Sequence, residues 1–271
     1  MELIKVSNAA FTYGERFIFQ NLNLDLHEGE LCCLMGHNGC GKSTLLDCIL
    51  GIHTLAGGEI TIKNRNVAGY KPLELAREIA YVPQIHERSF PYEVRQVIMM
   101  GRTPYIGTFG SPDETDKQLV EQIMFETGIA HLAFRPYTQI SGGEMQMVLL
   151  ARALVQDTPV IIMDEPTAHL DFYNGLLFLE TVGRLVREKR LTVLIATHSP
   201  NQPFYFENSG LPVKVALMHN GEIAALGCPG EILTTDNILK YYQVNVKLLT
   251  DTANKTLRQV IPLNTVKNGQ D

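Results

Sequence analysis

The chain has 271 residues, of which 45% are hydrophobic and 19% are charged, a balance typical of a folded globular core. Its 23 basic and 29 acidic residues give a formal net charge of −6, which argues against nucleic acid as the main partner, because phosphate backbones bind to basic surfaces. No apolar run approaches the ~20 residues of a membrane-spanning helix, and the start of the chain lacks the pattern of a secretion signal. We therefore expect a cytoplasmic chain with no membrane span.

The first part of the chain predicts antiparallel strands around one buried parallel strand. The leucines from Leu22 to Leu26 alternate with polar residues, as in a half-exposed strand. Leu31 to Met35 is a short apolar run typical of a buried strand, and Ser43 to Leu50 has the pattern of a helix that ends at Gly51. Ile60 to Asn66 suggests a hairpin. These elements predict an N-terminal antiparallel β subdomain beside the first strand of a parallel sheet.

The middle of the chain interrupts the alternation of strands and helices. Tyr92 to Gly101 and Asp113 to Thr127 both look helical, with a loop from Gly107 to Pro112 between them. Ser111 is the predicted N-cap of the second helix, because Pro112 follows it at the first helical position. The helices extend from about residue 85 to 140, and we assign about 85–158 to an inserted α-helical subdomain.

The later part of the chain returns to strands and crossover helices. Val160 to Met163 and Thr192 to Ala196 are apolar runs of strand length, and Phe172 to Glu188 between them has helical length and pattern. Val213 to Leu226 contains an Asn-Gly turn between two apolar segments, which predicts an antiparallel hairpin. The fold predicted from these patterns is α/β, with a parallel β-sheet core.

A phosphate-binding loop follows the first buried strand and opens a helix. The glycines allow successive backbone N–H groups to turn toward an anion, at the positive end of that helix. Lys42 adds a full charge for the β- and γ-phosphates, and the Ser43 hydroxyl is a ligand for Mg²⁺. The alternative is a glycine-rich turn without a ligand. The predicted binding segment, with Thr44 included, reads Gly36-His37-Asn38-Gly39-Cys40-Gly41-Lys42-Ser43-Thr44.

Two acidic residues end the strand that begins at Val160, where open parallel sheets bind ligands. We expect Asp164 to hold Mg²⁺, through a water molecule, and Glu165 to act as the general base for the attacking water. The alternative role for such an acid is a helix N-cap. The phosphate-binding loop favours the catalytic interpretation.

The segment Ile140-Ser141-Gly142-Gly143-Glu144 resembles Leu-Ser-Gly-Gly-Gln, the signature of the ATP-binding-cassette (ABC) ATPases. Together with the phosphate-binding loop and Asp164-Glu165, this segment makes the chain similar to that family. The resemblance extends from about Leu3 to Leu249. It implies the P-loop NTPase fold, ATP and Mg²⁺ as cofactors, and a head-to-tail homodimer in which Ser141, Gly142 and Gly143 contact ATP held by the second copy. Ser141 and Glu144 also have the spacing of a capping box.

The resemblance also suggests a domain division and further site residues. The ABC ATPase domain covers 1–240, and 241–271 is a C-terminal extension to which the sequence assigns no role. Tyr13 matches the aromatic residue that stacks on adenine, although core packing is an equal alternative for it. Gln84 matches the glutamine that contacts Mg²⁺ and the attacking water. Asp171 matches the acidic residue that crosses the dimer interface, and His198 matches the histidine that contacts the γ-phosphate. His169 departs from the family pattern.

Two segments, Phe90 to Tyr92 and Met100 to Tyr105, resemble segments of the ATPases of importers for iron siderophores, haem, cobalamin and oxyanions such as molybdate. This resemblance narrows the choice of subfamily to those importers. This implies peripheral association with the cytoplasmic face of the membrane, a permease that docks near Phe90 to Tyr105, and indirectly a solute-binding protein. An exporter subunit remains an alternative. An ATPase acting on nucleic acid or ribosomes is disfavoured by the acidic charge, and a small-molecule kinase would leave Ser141-Gly142-Gly143 without a role.

Two finer expectations concern side chains. The predicted docking groove is lined by Phe90, Tyr92, Val94 and Met99, with charge at its rim from Arg95 or Arg102; packing of the apolar side chains inside the helical subdomain is the nearly equal alternative. Cys40 lies in the phosphate-binding loop beside the positive end of a helix, which predicts a lowered thiol pKa and inhibition by alkylation; an inaccessible thiol is the equal alternative.

Overall fold

The computed structural model describes residues 1–84, 90–107, 110–251 and 257–266. The strands are β1 (Glu2–Tyr13), β2 (Arg16–His27), β3 (Leu31–Met35), β4 (Gly57–Ile62), β5 (Arg65–Asn66), β6 (Ile79–Val82), β7 (Val160–Asp164), β8 (Thr192–Thr197), β9 (Val213–His219), β10 (Glu222–Gly227), β11 (Val244–Thr250) and β12 (Arg258–Thr265). The α-helices are α1 (Lys42–Ile49), α2 (Pro72–Leu75), α3 (Val94–Met99), α4 (Glu114–Glu126), α5 (Gly142–Leu154), α6 (Phe172–Lys189), α7 (Asn201–Asn208), α8 (Pro229–Ile232) and α9 (Thr235–Tyr242).

The central sheet has the strand order β10-β9-β3-β8-β7-β6. The strands from β9 to β6 in that order run parallel, and β10 pairs antiparallel with β9 across the predicted Asn-Gly turn. A separate antiparallel sheet has the order β2-β1-β4-β5. The predicted parallel α/β core and N-terminal antiparallel subdomain are both confirmed.

Hydrophobic layers cover both faces of the central sheet, because successive side chains of a strand point to opposite sides. Cys33 and Met35 of β3 pack on one face with α5, α6 and α7. Cys32 and Leu34 pack on the other face with α1 and with strands β1, β2 and β4. The antiparallel sheet therefore rests on the phosphate-loop side of the core. Cys32, Cys33 and Cys48 are buried in these layers as free thiols.

The chain between β6 and β7 forms the inserted helices α3, α4 and α5, as predicted, but the cap of α4 differs. The N-cap is Asp113, whose side chain accepts the N–H of Asp116 at 2.9 Å, so the predicted Ser111 cap is wrong. Arg102 donates to Asp116 at 2.7 Å and holds it in place to complete a reciprocal box with Asp113. A carboxylate cap is also favoured by the positive end of the helix.

The C-terminal strands β11 and β12 form an antiparallel hairpin. Asn201 of α7 holds this hairpin through two hydrogen bonds to the backbone of Val260, at 2.8 and 3.1 Å. Val260 is buried in the main core. The predicted division after residue 240 lies within α9, which contacts β11. Among the described helices, none has the length and apolar character needed to cross a membrane.

Candidate functional site

The carboxyl ends of four neighbouring strands bring most of the predicted site residues together. Gly36 follows β3, His198 follows β8, and Asp164 and Glu165 lie at the end of β7. Gln84 follows β6 after one proline. Because parallel strands end at the same edge of a sheet, residues from distant parts of the sequence meet there.

The phosphate-binding loop joins β3 to α1 and is packed tightly from below. Gly41, the N-cap of α1, has φ of 104°, a conformation that disfavours residues with a side chain. A Cβ at this position would lie 2.9 Å from the side chains of Ile18 and Met218. The loop is therefore supported by β2 and β9, and its geometry requires glycine here.

Lys42 is almost completely buried beneath this loop. Its Nζ donates to the carbonyl of Gly36 at 2.9 Å and to that of His37 at 3.3 Å. The same nitrogen lies 3.8 Å from Oε1 of Glu165. A full positive charge is thus held between the loop and the acidic end of β7.

Asp164 is 6% exposed, and burial raises the pKa of its carboxyl group. The Ser43 side chain hydrogen-bonds to this carboxyl group, whereas Oδ1 of Asp164 is buried without a hydrogen-bond partner among the described residues. An unpaired buried carboxylate oxygen is costly unless a cation or water satisfies it. The hydroxyl and carboxylate together are the oxygen donors that Mg²⁺ prefers, so these residues fit that ion.

Glu165 lies at the centre of the site with a strained backbone. Its φ of 43° is unusual for a residue with a side chain, and its N–H is fixed by the Ala196 carbonyl at 2.9 Å. Oε2 lies 3.0 Å from Nδ1 of His198 and accepts from Nε2 of Gln84 at 3.4 Å. Glu165 therefore contacts both of the other predicted catalytic side chains, His198 and Gln84.

Ser141 is the N-cap of α5 and forms the predicted capping box. Its hydroxyl accepts the Glu144 N–H at 3.3 Å, while the Glu144 carboxylate accepts the Ser141 N–H at 2.7 Å and the Ser141 hydroxyl at 2.8 Å. These bonds lower the pKa of Glu144. The cap orders the start of α5 and leaves Gly142 exposed there.

Gly143 and Asp171 meet at Asn174, a residue that the sequence analysis missed. Asp171 is the N-cap of α6 and accepts the backbone N–H and the side-chain amide of Asn174, both at 2.8 Å. These hydrogen bonds lower the pKa of Asp171. A Cβ on Gly143 would overlap the same amide. Asp at the N-cap with Asn three residues later was the available signal.

Tyr13 ends β1 and is 53% exposed, so its ring is accessible. Its hydroxyl lies 3.1 Å from Nε2 of His53, which sequence reasoning did not identify. His37 and Asn38 are exposed on the phosphate-binding loop, and Nδ1 of His37 lies 2.8 Å from the Asn38 carbonyl. His169 is exposed, and the structure adds nothing to its role.

The thiol of Cys40 does not have the lowered pKa that its position in the loop predicted. It is 4% exposed, and burial raises the pKa of its thiol despite the nearby Lys42 charge. Desolvation of the thiolate outweighs the attraction of the cation. The prediction of a lowered pKa is therefore wrong, and the alternative of a poorly accessible thiol agrees with the structure.

The predicted docking surface also needs correction. Phe90 and Tyr92 are exposed, but Val94 is fully buried in the core and cannot line a groove. Met99 is half-buried against that core. Arg102 is largely buried by its ion pair with Asp116 and donates to the Val155 carbonyl, so it is a structural residue and not a rim charge. Arg95 remains partly exposed.

Comparison with known proteins identifies the family. The sequence profile described as ABC transporter matches residues 19–168, just over half of the chain, which include the loop, Ser141 and Glu165. The chain belongs to the ABC transporter family. It is an ATP-binding subunit of this type, and therefore an ATPase.

Relatives of this ABC ATPase align over most of their length. It is 38% identical to an ABC transporter ATP-binding protein of Haemophilus influenzae, over 91% of this chain and 92% of the relative. It is 36% identical to the molybdate import ATP-binding protein MolC of the same species, over 89% of this chain and 88% of that relative. Other relatives are named for import of iron(3+)-hydroxamate, hemin and cobalamin.

Solved structures agree with this assignment. A chain of a metal-chelate type ABC transporter in an inward-facing conformation superimposes with a TM-score of 0.84 at 33% identity, covering 97% of this chain and 98% of that one. The P-loop NTPase fold with its inserted helices is thereby confirmed for this ABC ATPase. Cassettes of this family act as dimers with a permease, and a bacterial cassette at 27% identity has been solved as a dimer.

Proposed function

We propose that this ABC ATPase powers an importer, and that its nucleotide site lies at the carboxyl ends of β3, β8, β7 and β6. The observation that carries the proposed nucleotide site is the position of Glu165, which His198 and Gln84 hold beside Lys42. Such an arrangement fixes a carboxylate next to a phosphate-binding loop. It suits removal of a proton from a water molecule that attacks the γ-phosphate.

Each residue of the site has a distinct role in this proposal. Lys42 exchanges its hydrogen bonds to the Gly36 and His37 carbonyls for the β- and γ-phosphate oxygens of ATP. Ser43, Gln84 and Asp164 hold Mg²⁺, which when bound supplies positive charge to neutralise the phosphates. Glu165 takes the proton of the attacking water, and His198 keeps the Glu165 carboxylate oriented and contacts the γ-phosphate.

The site is completed by a second copy of the chain. Gly142 is exposed at the start of α5, where backbone N–H groups and the helix dipole favour an anion. We infer that Ser141, Gly142 and Gly143 contact the γ-phosphate of ATP bound to the partner in a head-to-tail homodimer. Asp171, linked to Gly143 through Asn174, crosses the same interface.

The permease contacts the inserted helices at the surface formed by Phe90, Tyr92, Met100 and Tyr105. Exposed aromatic and methionine side chains suit a docking helix, and the rings of Phe90 and Tyr92 lie 5.9 Å apart. Closing the dimer around ATP would move two such surfaces together and tilt the permease halves. In this proposal the ATPase is peripheral to the cytoplasmic face of the membrane, and the cargo is a metal chelate or an oxyanion of the molybdate type, delivered by a solute-binding protein.

The docking surface is tested with Tyr92→Asp and a matched control, Phe125→Asp, which alters an exposed aromatic residue on α4. Tyr92→Asp should abolish uptake and co-purification of the permease from solubilised membranes, since a charge replaces an apolar contact. The ATPase rate of the purified subunit should change little in both variants. Normal uptake and permease capture by Tyr92→Asp would place docking elsewhere.

The direction and the cargo are tested by deleting the gene and measuring accumulation of labelled iron hydroxamate, haem, cobalamin and molybdate. Loss of uptake of one compound, restored by the wild-type chain and not by Lys42→Ala, supports the importer. Increased retention of a compound in the deletion strain would instead identify an exporter subunit.

A further inference from the structure

Tyr13 is held in a cluster of three rings. Its Oη lies 3.1 Å from Nε2 of His53, and the two rings meet edge to face with centroids 5.8 Å apart. Phe11 stacks on His53 with centroids 5.2 Å apart and meets Tyr13 edge to face at 4.9 Å. Phe11 is buried in the core and anchors the cluster. Each ring restricts the other two, while more than half of Tyr13 stays exposed.

The cluster is also tied to the phosphate-binding helix. Asp47 lies on α1, which begins at Lys42, and its Oδ2 is 3.8 Å from Nε2 of His53. The backbone N–H of His53 donates to the Asp47 carbonyl at 3.3 Å. His53 therefore links Tyr13 to the helix that carries the phosphate-binding lysine.

The position of Asp47 favours one tautomer of His53. A carboxylate oxygen facing Nε2 is attracted to an N–H and repelled by a lone pair, which favours the proton on Nε2. In that tautomer His53 donates to Oη of Tyr13. The hydroxyl of Tyr13 is fixed as an acceptor on this side, which sets the plane of its ring relative to α1.

We propose that His53 is a positioning residue for the nucleobase: it holds the ring of Tyr13 in the orientation that stacks on adenine. This inference rests on the proposed function and on the stacking of Tyr13 on adenine that the family resemblance implies. A cluster that only packed β1 against α1 would affect stability without selectively affecting nucleotides that carry a base.

The test compares ATP and inorganic triphosphate in the purified ATPase. His53→Ala should raise the KM for ATP roughly 2- to 10-fold, the range expected for one lost hydrogen bond, with kcat unchanged. The affinity for inorganic triphosphate should be unchanged, because that ligand has no base. His53→Gln retains an N–H donor and should recover part of the loss. His27→Ala is the matched control and should behave as wild type, since it alters a half-exposed histidine at the end of β2 whose Nδ1 lies 3.3 Å from Oδ2 of Asp25.

Tyr13→Phe should reproduce the effect of His53→Ala, and the double variant should add little, because both changes remove the same hydrogen bond. Tyr13→Ala distinguishes base stacking by Tyr13 from the positioning of Tyr13 by His53. If Tyr13→Ala leaves the KM for ATP unchanged, base stacking by Tyr13 fails, and the role of His53 fails with it. If Tyr13→Ala raises KM but His53→Ala does not, stacking stands and positioning by His53 is overturned. An equal loss of triphosphate affinity in His53→Ala would also overturn it.

Discussion

The chemistry of the site depends on one carboxylate and its neighbours. Glu165 has a positive φ and is contacted by His198, Gln84 and Lys42. Strained backbone at such a position persists only where the surroundings hold it, and here the hydrogen bond to Ala196 does so. In this conformation Oε1 of Glu165 lies 3.8 Å from Nζ of Lys42, beside the phosphate-binding loop.

Glu165→Gln should keep ATP binding and lower turnover by ~10²–10⁴-fold, because the amide cannot accept the proton of the attacking water. Steady-state ATPase assays and binding of a fluorescent ATP analogue measure the two effects separately. Glu188→Gln on the exposed end of α6 is the control. A Glu165→Gln variant that hydrolyses ATP normally would remove Glu165 from this role.

Lys42→Ala should instead weaken the binding of ATP itself, since the phosphates lose their charged partner.

Cys40 and Cys228 differ in exposure and should therefore differ in reactivity. Maleimide at neutral pH should modify exposed Cys228 rapidly and Cys40 slowly, because a raised pKa and burial leave little accessible thiolate at Cys40. Raising the pH should accelerate the reaction at Cys40 as its thiolate fraction grows. Mass spectrometry over time measures both sites. Rapid labelling of Cys40 that ATP prevents would contradict the burial of this thiol.

At the scale of elements, the starts of α5 and α6 form one unit. Gly143 at the start of α5 packs directly on Asn174, whose amide also binds the Asp171 cap of α6. Two helix N-termini that the sequence separates are thereby fixed relative to each other. The lack of a side chain at residue 143 permits this close approach.

Gly143→Ala should lower the free energy of unfolding by about 1–3 kcal/mol, because the new methyl group displaces Asn174. Gly142→Ala is the matched control: a Cβ there meets open space, and alanine favours the helix, so stability should be unchanged or raised. Urea unfolding followed by circular dichroism measures both. Equal stabilities of the two variants would show that Asn174 moves aside without cost.

At the scale of the whole molecule, the residues of the proposed catalytic cycle form two groups. Lys42, Asp164 and Glu165 meet at the strand ends. In the part of the chain that the structure describes, the hydrogen bonds of Ser141 link it to Glu144 and Met145 of its own helix and not to this group. A second chain is therefore the proposed means by which the two groups meet around ATP.

Ser141→Arg should spare ATP binding by the monomer and block both hydrolysis and dimer formation, because the arginine occupies the space of the partner's phosphate. Light scattering with ATP in the Glu165→Gln background, where hydrolysis is slow, measures the dimer as a doubled mass. Ser141→Ala removes the cap without adding bulk and separates helix destabilisation from steric block. Normal hydrolysis by Ser141→Arg would rule out the shared site.

Local patterns were sufficient for much of the fold and for the centre of the site. The apolar run of β3, the glycine-rich loop and the acidic pair at the end of β7 are each contiguous, so their periodicity and spacing predict both structure and chemistry. The Asn-Gly turn between β9 and β10 was predictable for the same reason, since its backbone conformation depends on two adjacent residues.

Tertiary structure alone decided the features that depend on distant residues. Tyr13 and His53 are 40 positions apart, and no local pattern pairs them. The burial of Cys40 reversed a pKa expected from the helix alone, and Asp116, held by Arg102, favoured Asp113 over Ser111 as a cap. Sequence determined which groups the chain carries and which backbone conformations they prefer. Desolvation and contacts between distant parts of the chain exist only after the elements pack. They determined how those groups are charged, held and exposed.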